Sequence, residues 1–328
     1  MIEILSAAPL MTVQDMGRSG NYRYGVCRSG AMDRVALAIG NALLGNDENA
    51  AALEIPMPPV RIFFRSEINF ALTGADCVAT LDGSPIPPWW AMRARAGQVL
   101  SLAPPQTGSC AYLCLEGGIN VPEVLGSRST QLREGFGGLN GKPVSPGDRL
   151  DAVGNDVILP PGGLGAVPPR NALALSDWPG ITLRVIPAAE YDNYTAASRD
   201  AFWSADWLIT PQSNRAGYRL SGPDLTLTHP LELRSHGIVP GVIQVPPGGQ
   251  PIIQLADAGT MGGYPKIGTV IEADLWRIGQ ARAGDRLRFI ETDYGTAIDA
   301  LEAVKQYLYD MRRQTALLRK AARRWEQV

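Results

Sequence analysis

The chain is poor in the residues that carry metal and triad chemistry. Its 328 residues include two histidines, His229 and His236, and four cysteines, Cys27, Cys77, Cys110 and Cys114, none of them in a C-x-x-C pair. A zinc site needs four good ligands, so no metal is expected. A Ser-His-Asp arrangement has equally little to draw on, and no G-x-S-x-G elbow occurs. His236 stands in SHGIVPG beside a proline and glycines, a context that reads as a hydrogen-bonded turn histidine and a weak general base. Cys110 and Cys114 lie in an apolar stretch whose alternation aims both at one face, as expected of buried free thiols in a reducing cytosol.

Charge imbalance and long apolar runs are missing too. A formal net charge of −2 gives no bulk electrostatic reason to expect nucleic acid or an anionic membrane as partner. A small molecule or another protein fits better. No apolar run reaches spanning length, and the opening MIEILSAAPLM lacks a basic n-region before turning polar at Gln14 and Asp15, so a cytoplasmic location is expected. The Walker phosphate loop fails as well: Gly141-Lys142 is followed by Pro143, and Phe136 stands where the first glycine belongs.

What the chain has is glycine and proline, 36 and 26 residues, punctuating short runs rich in Val, Ile and Leu. That texture predicts a mainly β protein. Three stretches share one phrase, RARAGQVLSLAP at 93–104, VSPGDRLDAV at 144–153 and ARAGDRLRFI at 281–290, each a glycine turn leading into an alternating strand. Against this background Asp33 to Leu44 reads as a helix, opening on an N-cap residue and stopped by Gly45. The tail reads as another. Apolar or small residues fall at Leu301, Val304, Leu308, Met311, Thr315, Leu318, Ala322 and Trp325, steps of three and four that form a narrow heptad stripe with six basic residues beside it. Such a stripe suits pairing with a copy of itself or with another polypeptide, the alternative being a helix laid on its own domain. The Pro- and Gly-rich stretch 160–180 is the best linker. It divides the chain into an N-terminal β-rich subdomain, 1–170, a β-barrel subdomain, 171–294, and the helical tail, 295–328.

Three polar, glycine-rich segments are candidates for chemistry. In QPIIQLADAGTMGGYPKIG, Gln250 to Gly268, an apolar run reads as a buried strand and runs into Asp257, glycines at 259, 262 and 263, Tyr264 and Lys266. The glycines are expected to take positive φ and to let a ligand approach the amides, with Asp257 and Lys266 supplying a carboxylate and a cation. In Gln14 to Asp33, Arg18, Arg23 and Arg28 would form a clamp for a carboxylate or phosphate, oriented by Asp15 and Asp33. In Gly126 to Gly141, Ser127, Arg128, Ser129 and Thr130 set hydroxyls beside a guanidinium, a composition for anion capture or for capping turns.

The phrases TVQDMGRSG at 12–20, SGAMDRVALAIGNALLGN at 29–46, GSRST at 126–130 and GVIQVPPGGQPIIQLADAGTMGGYPKIG at 241–268 resemble the A and B subdomains of the biotin-dependent carboxyltransferase domain family. That family includes the C-type polypeptide of 5-oxoprolinase, the KipA-type proteins, the second polypeptide of allophanate hydrolase and part of urea carboxylase. The resemblance runs from about residue 10 to residue 292. It implies two β-rich subdomains, one a cyclophilin-like barrel, working beside a B-type partner with the related C and D subdomains and an A-type partner. The implied activity is ATP-dependent opening of 5-oxoproline to glutamate, with ATP used at the level of the complex. Two alternatives remain open: biotin-dependent carboxyl transfer to a urea- or amide-like nitrogen, and a non-catalytic binding protein of the KipA type. The motifs carry over Lys266, Asp257 and Tyr264 as catalytic candidates, with Asp257 orienting the lysine. Asp15, Arg18, Arg28, Ser29, Asp33, Ser127, Arg128, Ser129, Thr130, Gln244, Gly262 and Gly263 are carried over as substrate- or phosphate-binding candidates. One departure falls at Asn214, where the family pattern has a carboxylate.

Overall fold

The computed structural model describes all residues except 155, 177 and 326–328. It is mainly β and divides into two compact units, one comprising 1–18, 29–173 and 305–328, the other 19–28 and 174–304. Two pieces of chain therefore leave the order of the sequence. The segment 19–28 joins the second unit, and the tail from Lys305 joins the first.

The first unit is a β-sandwich. One six-stranded sheet runs in the order 149–150, 2–6, 60–64, 99–102, 79–81, 84–85, and the other in the order 164–165, 90–94, 68–76, 107–115, 52–56, 12–14. The core takes alternate residues from both, Ile2, Ile4, Ile62 and Phe64 from one and Leu53, Ile55, Phe70, Leu113 and Leu115 from the other. Period-two alternation then aims Cys110, Tyr112 and Cys114 at the opposite face of the second sheet. There the helix Arg34–Leu44 covers them: a Cβ on Gly40 would stand 2.5 Å from the Cys114 sulfur. Ten of this helix's eleven residues are buried, Asp33 caps it by accepting from the Ala36 amide at 2.8 Å, and Gly45 ends it at φ 69°. All four cysteines are buried and free, and burial pushes the Cys114 thiol well up.

The second unit holds a closed seven-stranded barrel in the order 181–187, 266–270, 242–244, 252–254, 217–221, 207–209, 286–291. Every pairing is antiparallel except that of 181–187 with 286–291, which closes the barrel in parallel. Phe202, on the helix Ala196–Ser204, stacks on Phe289 at 4.6 Å between centroids and seals one side. The repeated glycine phrase has one structural meaning throughout. Gly97, Gly147 and Gly284 take φ of 92°, 91° and 94°, the left-handed turn from which the strands 99–102, 149–150 and 286–291 set out.

The tail forms one helix, Tyr294–Trp325. Much of its stripe is covered by the chain itself, as in the alternative of a helix laid on its own domain. Met311, Thr315 and Ala322 are buried. The Thr315 hydroxyl donates to the Ala42 carbonyl at 3.2 Å, and the Tyr307 hydroxyl to that of Val167 at 2.6 Å. Leu318, expected on the seam, is exposed, and half-buried Arg319 takes that place because it reaches the carbonyls of Ala42 and Leu43 at the end of the helix Arg34–Leu44. The Trp325 side chain lies outside the described residues. Among those residues no helix is long and apolar enough to cross a membrane.

Candidate functional site

The segment Gln250 to Gly268 runs along the barrel wall. Its strand, Ile252–Gln254, is paired on both sides, with 242–244 and with 217–221. Burial alternates through it, with Pro251, Ile253 and Leu255 buried, so the apolar run is a barrel strand with one inward face. Asp257 follows, nearly buried, and takes Arg215 two-pronged, Nε to Oδ2 at 2.8 Å and Nη2 to Oδ1 at 3.2 Å. The backbone repeats the tie, the Asp257 amide donating to the Arg215 carbonyl at 3.0 Å. Asp257 therefore anchors the loop to the segment before strand 217–221. It does not orient Lys266, as the sequence had suggested, because Arg215 already fills its bidentate face.

Lys266 opens the strand Lys266–Val270 and draws its carboxylate from elsewhere. Its Nζ lies 3.2 Å from Glu190 Oε1 and 2.6 Å from His236 Nε2, with the lysine and glutamate side chains only 13% and 14% exposed. His236 arrives on a two-stranded ladder, 236–237 against 261–262, in which it faces Gly262. Its Nδ1 is 3.0 Å from the Arg234 carbonyl. An ammonium has three protons to donate. Among the described residues Glu190 forms an ion pair with it and His236 a hydrogen bond.

The surroundings hold further unmatched polar atoms. Glu190 Oε2 and the hydroxyl of Tyr194 are buried with no hydrogen-bond partner among the described residues. Burial, and then the charge of Glu190, push the Tyr194 phenol upward. Gln244 accepts from Gln254 Nε2 at 3.1 Å through its Oε1, while its buried Nε2 has no partner among the described residues. Tyr194 also lines a cavity of about 440 Å³, together with Leu225, Thr226, Pro246, Gly263 and Tyr264 among others, whereas Lys266, Glu190, His236 and Gln244 do not line it. Half-exposed Tyr264 forms part of its wall.

The glycines of the loop are there for space. None of Gly259, Gly262 and Gly263 has positive φ, which corrects the expectation drawn from sequence. A Cβ on Gly262 would fall 2.3 Å from Gln244 Nε2, and one on Gly263 would lie 3.3 Å from the Ser235 hydroxyl. Gly262 is thus what lets the buried carboxamide of Gln244 sit against the ladder that presents His236.

The other candidates form a network of their own in the first unit. Asp15 is fully buried. Its Oδ1 accepts from the Gly17 amide at 2.8 Å and from the hydroxyls of Ser127 and Ser129 at 2.7 and 2.5 Å. Its Oδ2 accepts from the Arg128 amide at 2.6 Å. Thr130 donates to the Val13 carbonyl at 2.9 Å, and the Arg18 guanidinium donates to the Ser129 carbonyl at 2.6 Å while lying over the Phe136 ring. Arg128 turns its guanidinium to the Val121 carbonyl at 3.2 Å and to Glu123 at 3.5 Å. Gly138 leaves no room either, since a Cβ there would meet the Thr130 hydroxyl at 1.9 Å. These hydroxyls and amides are thus engaged within the chain. Ser29 takes φ 52°, Gly30 passes close to Gly17, and Asp33 is occupied as a helix cap. Of the three arginines expected to form a clamp, Arg18 belongs to the first unit and Arg23 and Arg28 to the second. Asn214 makes a local turn, accepting from the Ala216 amide at 2.8 Å.

Sequence reading missed Glu190 and Tyr194 and set His236 aside. No motif links PAAEYDNY to the glycine loop, and only the barrel's closure brings strand 181–187 beside strand 266–270.

The family model described as carboxyltransferase domain, subdomain A and B, matches residues 24–291. The C-type polypeptide of the Escherichia coli 5-oxoprolinase is 42% identical over 309 residues, covering 94% of this chain and 96% of that protein. Its namesake from Haemophilus influenzae is 39% identical over 313 residues, covering 95% and 98%. The urea amidolyase of Saccharomyces cerevisiae is 32% identical over 308 residues, 89% of this chain but 17% of that protein. Among solved structures, the urea carboxylase of Kluyveromyces lactis superposes with a TM-score of 0.85 at 29% identity, covering 94% of this chain and 29% of that one. The chain belongs to the family of carboxyltransferase-domain A and B subdomains.

Proposed function

We propose that the chain is the C-type component of an ATP-dependent 5-oxoprolinase, opening the lactam of 5-oxoproline to glutamate together with A-type and B-type partners. The observation that carries this reading is reciprocal coverage. The chain and the C-type 5-oxoprolinase polypeptides match over nearly the whole length of both, whereas it matches only 17% of the yeast urea amidolyase.

A lactam resists water because its nitrogen donates into the carbonyl, and opening it requires that negative charge on the carbonyl oxygen be stabilised. Lys266 supplies that stabilisation through the ammonium proton left over by Glu190 and His236. The amides around Gly262 and Gly263 add to it. Glu190 balances the cation so that it is held in place without a substrate. The cavity walled by Tyr194, Gly263 and Tyr264, next in the chain to Lys266, receives the ring. ATP hydrolysis drives the reaction in the assembled complex.

The chain purified with its B-type and A-type partners should release glutamate from 5-oxoproline in an ATP-dependent manner, and the chain alone should release none. Turnover by the lone chain would overturn the division of labour. Dependence on a biotinylated carrier, with carboxylation of an amide nitrogen in place of ring opening, would overturn the substrate.

A further inference from the structure

We infer that His236 is a positioning residue for Lys266, acting as a neutral imidazole in its Nδ1–H form. The inference deepens the reading of Lys266 as the cation that stabilises the carbonyl oxygen, and it rests on that reading for its catalytic consequence only. The geometry stands by itself.

The tautomer follows from the two partners of the ring. A backbone carbonyl only accepts, so Nδ1, 3.0 Å from the Arg234 carbonyl, carries the hydrogen. In a neutral ring Nε2 then holds a lone pair, and 2.6 Å away stands Lys266 Nζ, which as an ammonium only donates. The reverse tautomer would set two donors against each other at that distance and leave the Arg234 carbonyl without this donor. An imidazolium would add a second positive charge beside the first. The ring is fixed as well as protonated for this task, because the ladder that pairs His236 with Gly262 ties it to the loop before Lys266.

A lysine brings to any site a flexible four-carbon stem and a rotating ammonium. One acceptor, Glu190 Oε1 at 3.2 Å, would leave that ammonium free to turn about a single contact. A second acceptor of fixed direction removes the freedom and aims the third proton. Glu190 balances the charge, and His236 sets the angle. Glutamine places its amide oxygen near where histidine places Nε2, so His236→Gln retains an acceptor for the lysine while His236→Ala removes it.

The test begins with the full chain labelled with nitrogen-15 histidine, which contributes only His229 and His236. His229→Gln assigns the spectrum. Expected for His236 is a protonated Nδ1 and an unprotonated Nε2, with the Nε2 resonance moved in Lys266→Met and unmoved in His229→Gln. A protonated Nε2 at neutral pH, or an Nε2 resonance indifferent to Lys266→Met, overturns the proposal whatever the enzyme does. In the assembled complex, His236→Ala should lower kcat about tenfold or more with KM within about twofold, and His236→Gln should restore most of the loss. Full kcat in His236→Ala, in a complex that Lys266→Ala inactivates, overturns the positioning role and spares the reading of Lys266. Full kcat in both variants overturns the reading of Lys266 instead.

Discussion

The Asp15 network and the Lys266 cluster are made of the same materials: a buried carboxylate, cations, hydroxyl or amide side chains and glycine-rich backbone. They differ in what is left over. Asp15 receives four hydrogen bonds, its hydroxyl partners are engaged, and glycines with no room for a Cβ seal the loop around it. Around Lys266 one oxygen of Glu190, the amide nitrogen of Gln244 and the hydroxyl of Tyr194 are unmatched among the described residues, and Tyr194 also lines a cavity. A buried carboxylate with both oxygens engaged holds the chain together, since each of its donors would be costly to leave unpaired. An open one holds a place for something else. From sequence the two segments are indistinguishable, because composition records which polar groups are present and not whether they satisfy one another.

The sharpest way to break this comparison is to remove the two central charges. Asp15→Ala strips four donors of their acceptor in a fully buried site and is expected to cost about 3–5 kcal/mol of stability. Denaturant titration should show the midpoint falling accordingly, with whatever folded protein remains keeping its catalytic competence in the complex. A loss below about 1 kcal/mol would show that the network is not structural. Lys266→Ala should do the opposite. It is expected to lower kcat about 10²–10³-fold, the scale of removing one group that stabilises a developing oxyanion, while circular dichroism stays unchanged. An unchanged rate would remove Lys266 from the site. A third variant probes the seam between structure and site. Gly262→Ala forces the Gln244 side chain to move and should cost about 1–3 kcal/mol, an overpacking penalty visible in thermal melts, along with a smaller loss of rate. A neutral melt would show that Gln244 swings aside freely.

Local chemistry made part of the molecule legible. The N-cap Asp33, the stop at Gly45 and the shared glycine phrase before three strands are rules acting over a few residues, and each appears in the structure as the sequence implied. The mainly β character and the barrel followed from the same punctuation together with the family resemblance. What could not be read were the pairings. Asp257 with Arg215 and Lys266 with Glu190 join residues far apart in the chain, brought together by barrel register. The loop glycines were misread for a related reason. A glycine chosen for φ announces itself by neighbouring turn residues, but one chosen because Gln244 presses on it does not.

The tail offers the mildest test, on the element for which sequence reasoning left two partners open. Its three-four stripe was real, but a stripe does not name the surface that covers it. The cover includes the end of the helix Arg34–Leu44, where Arg319 reaches the carbonyls of Ala42 and Leu43. Those carbonyls lie at the negative end of a helix dipole, and a guanidinium there acts both as donor and as charge. Gly45 makes the approach possible, for a Cβ on it would stand 3.1 Å from Arg319 Nε. Partial burial, and then the neighbouring Arg323, lower the guanidinium's affinity for its proton, but it remains charged across the working pH range, so the contact should not titrate. Arg319→Ala should therefore cost about 1–2 kcal/mol, independent of pH between about 6 and 9 and smaller at high salt. Arg319→Lys should recover about half, keeping the charge but losing the fork that spans two carbonyls. If both variants melt like the parent while the mass of the purified protein falls, the helix serves an interface between chains and the cap is incidental. If the melts shift and the mass does not, the stripe belongs to the fold that carries it.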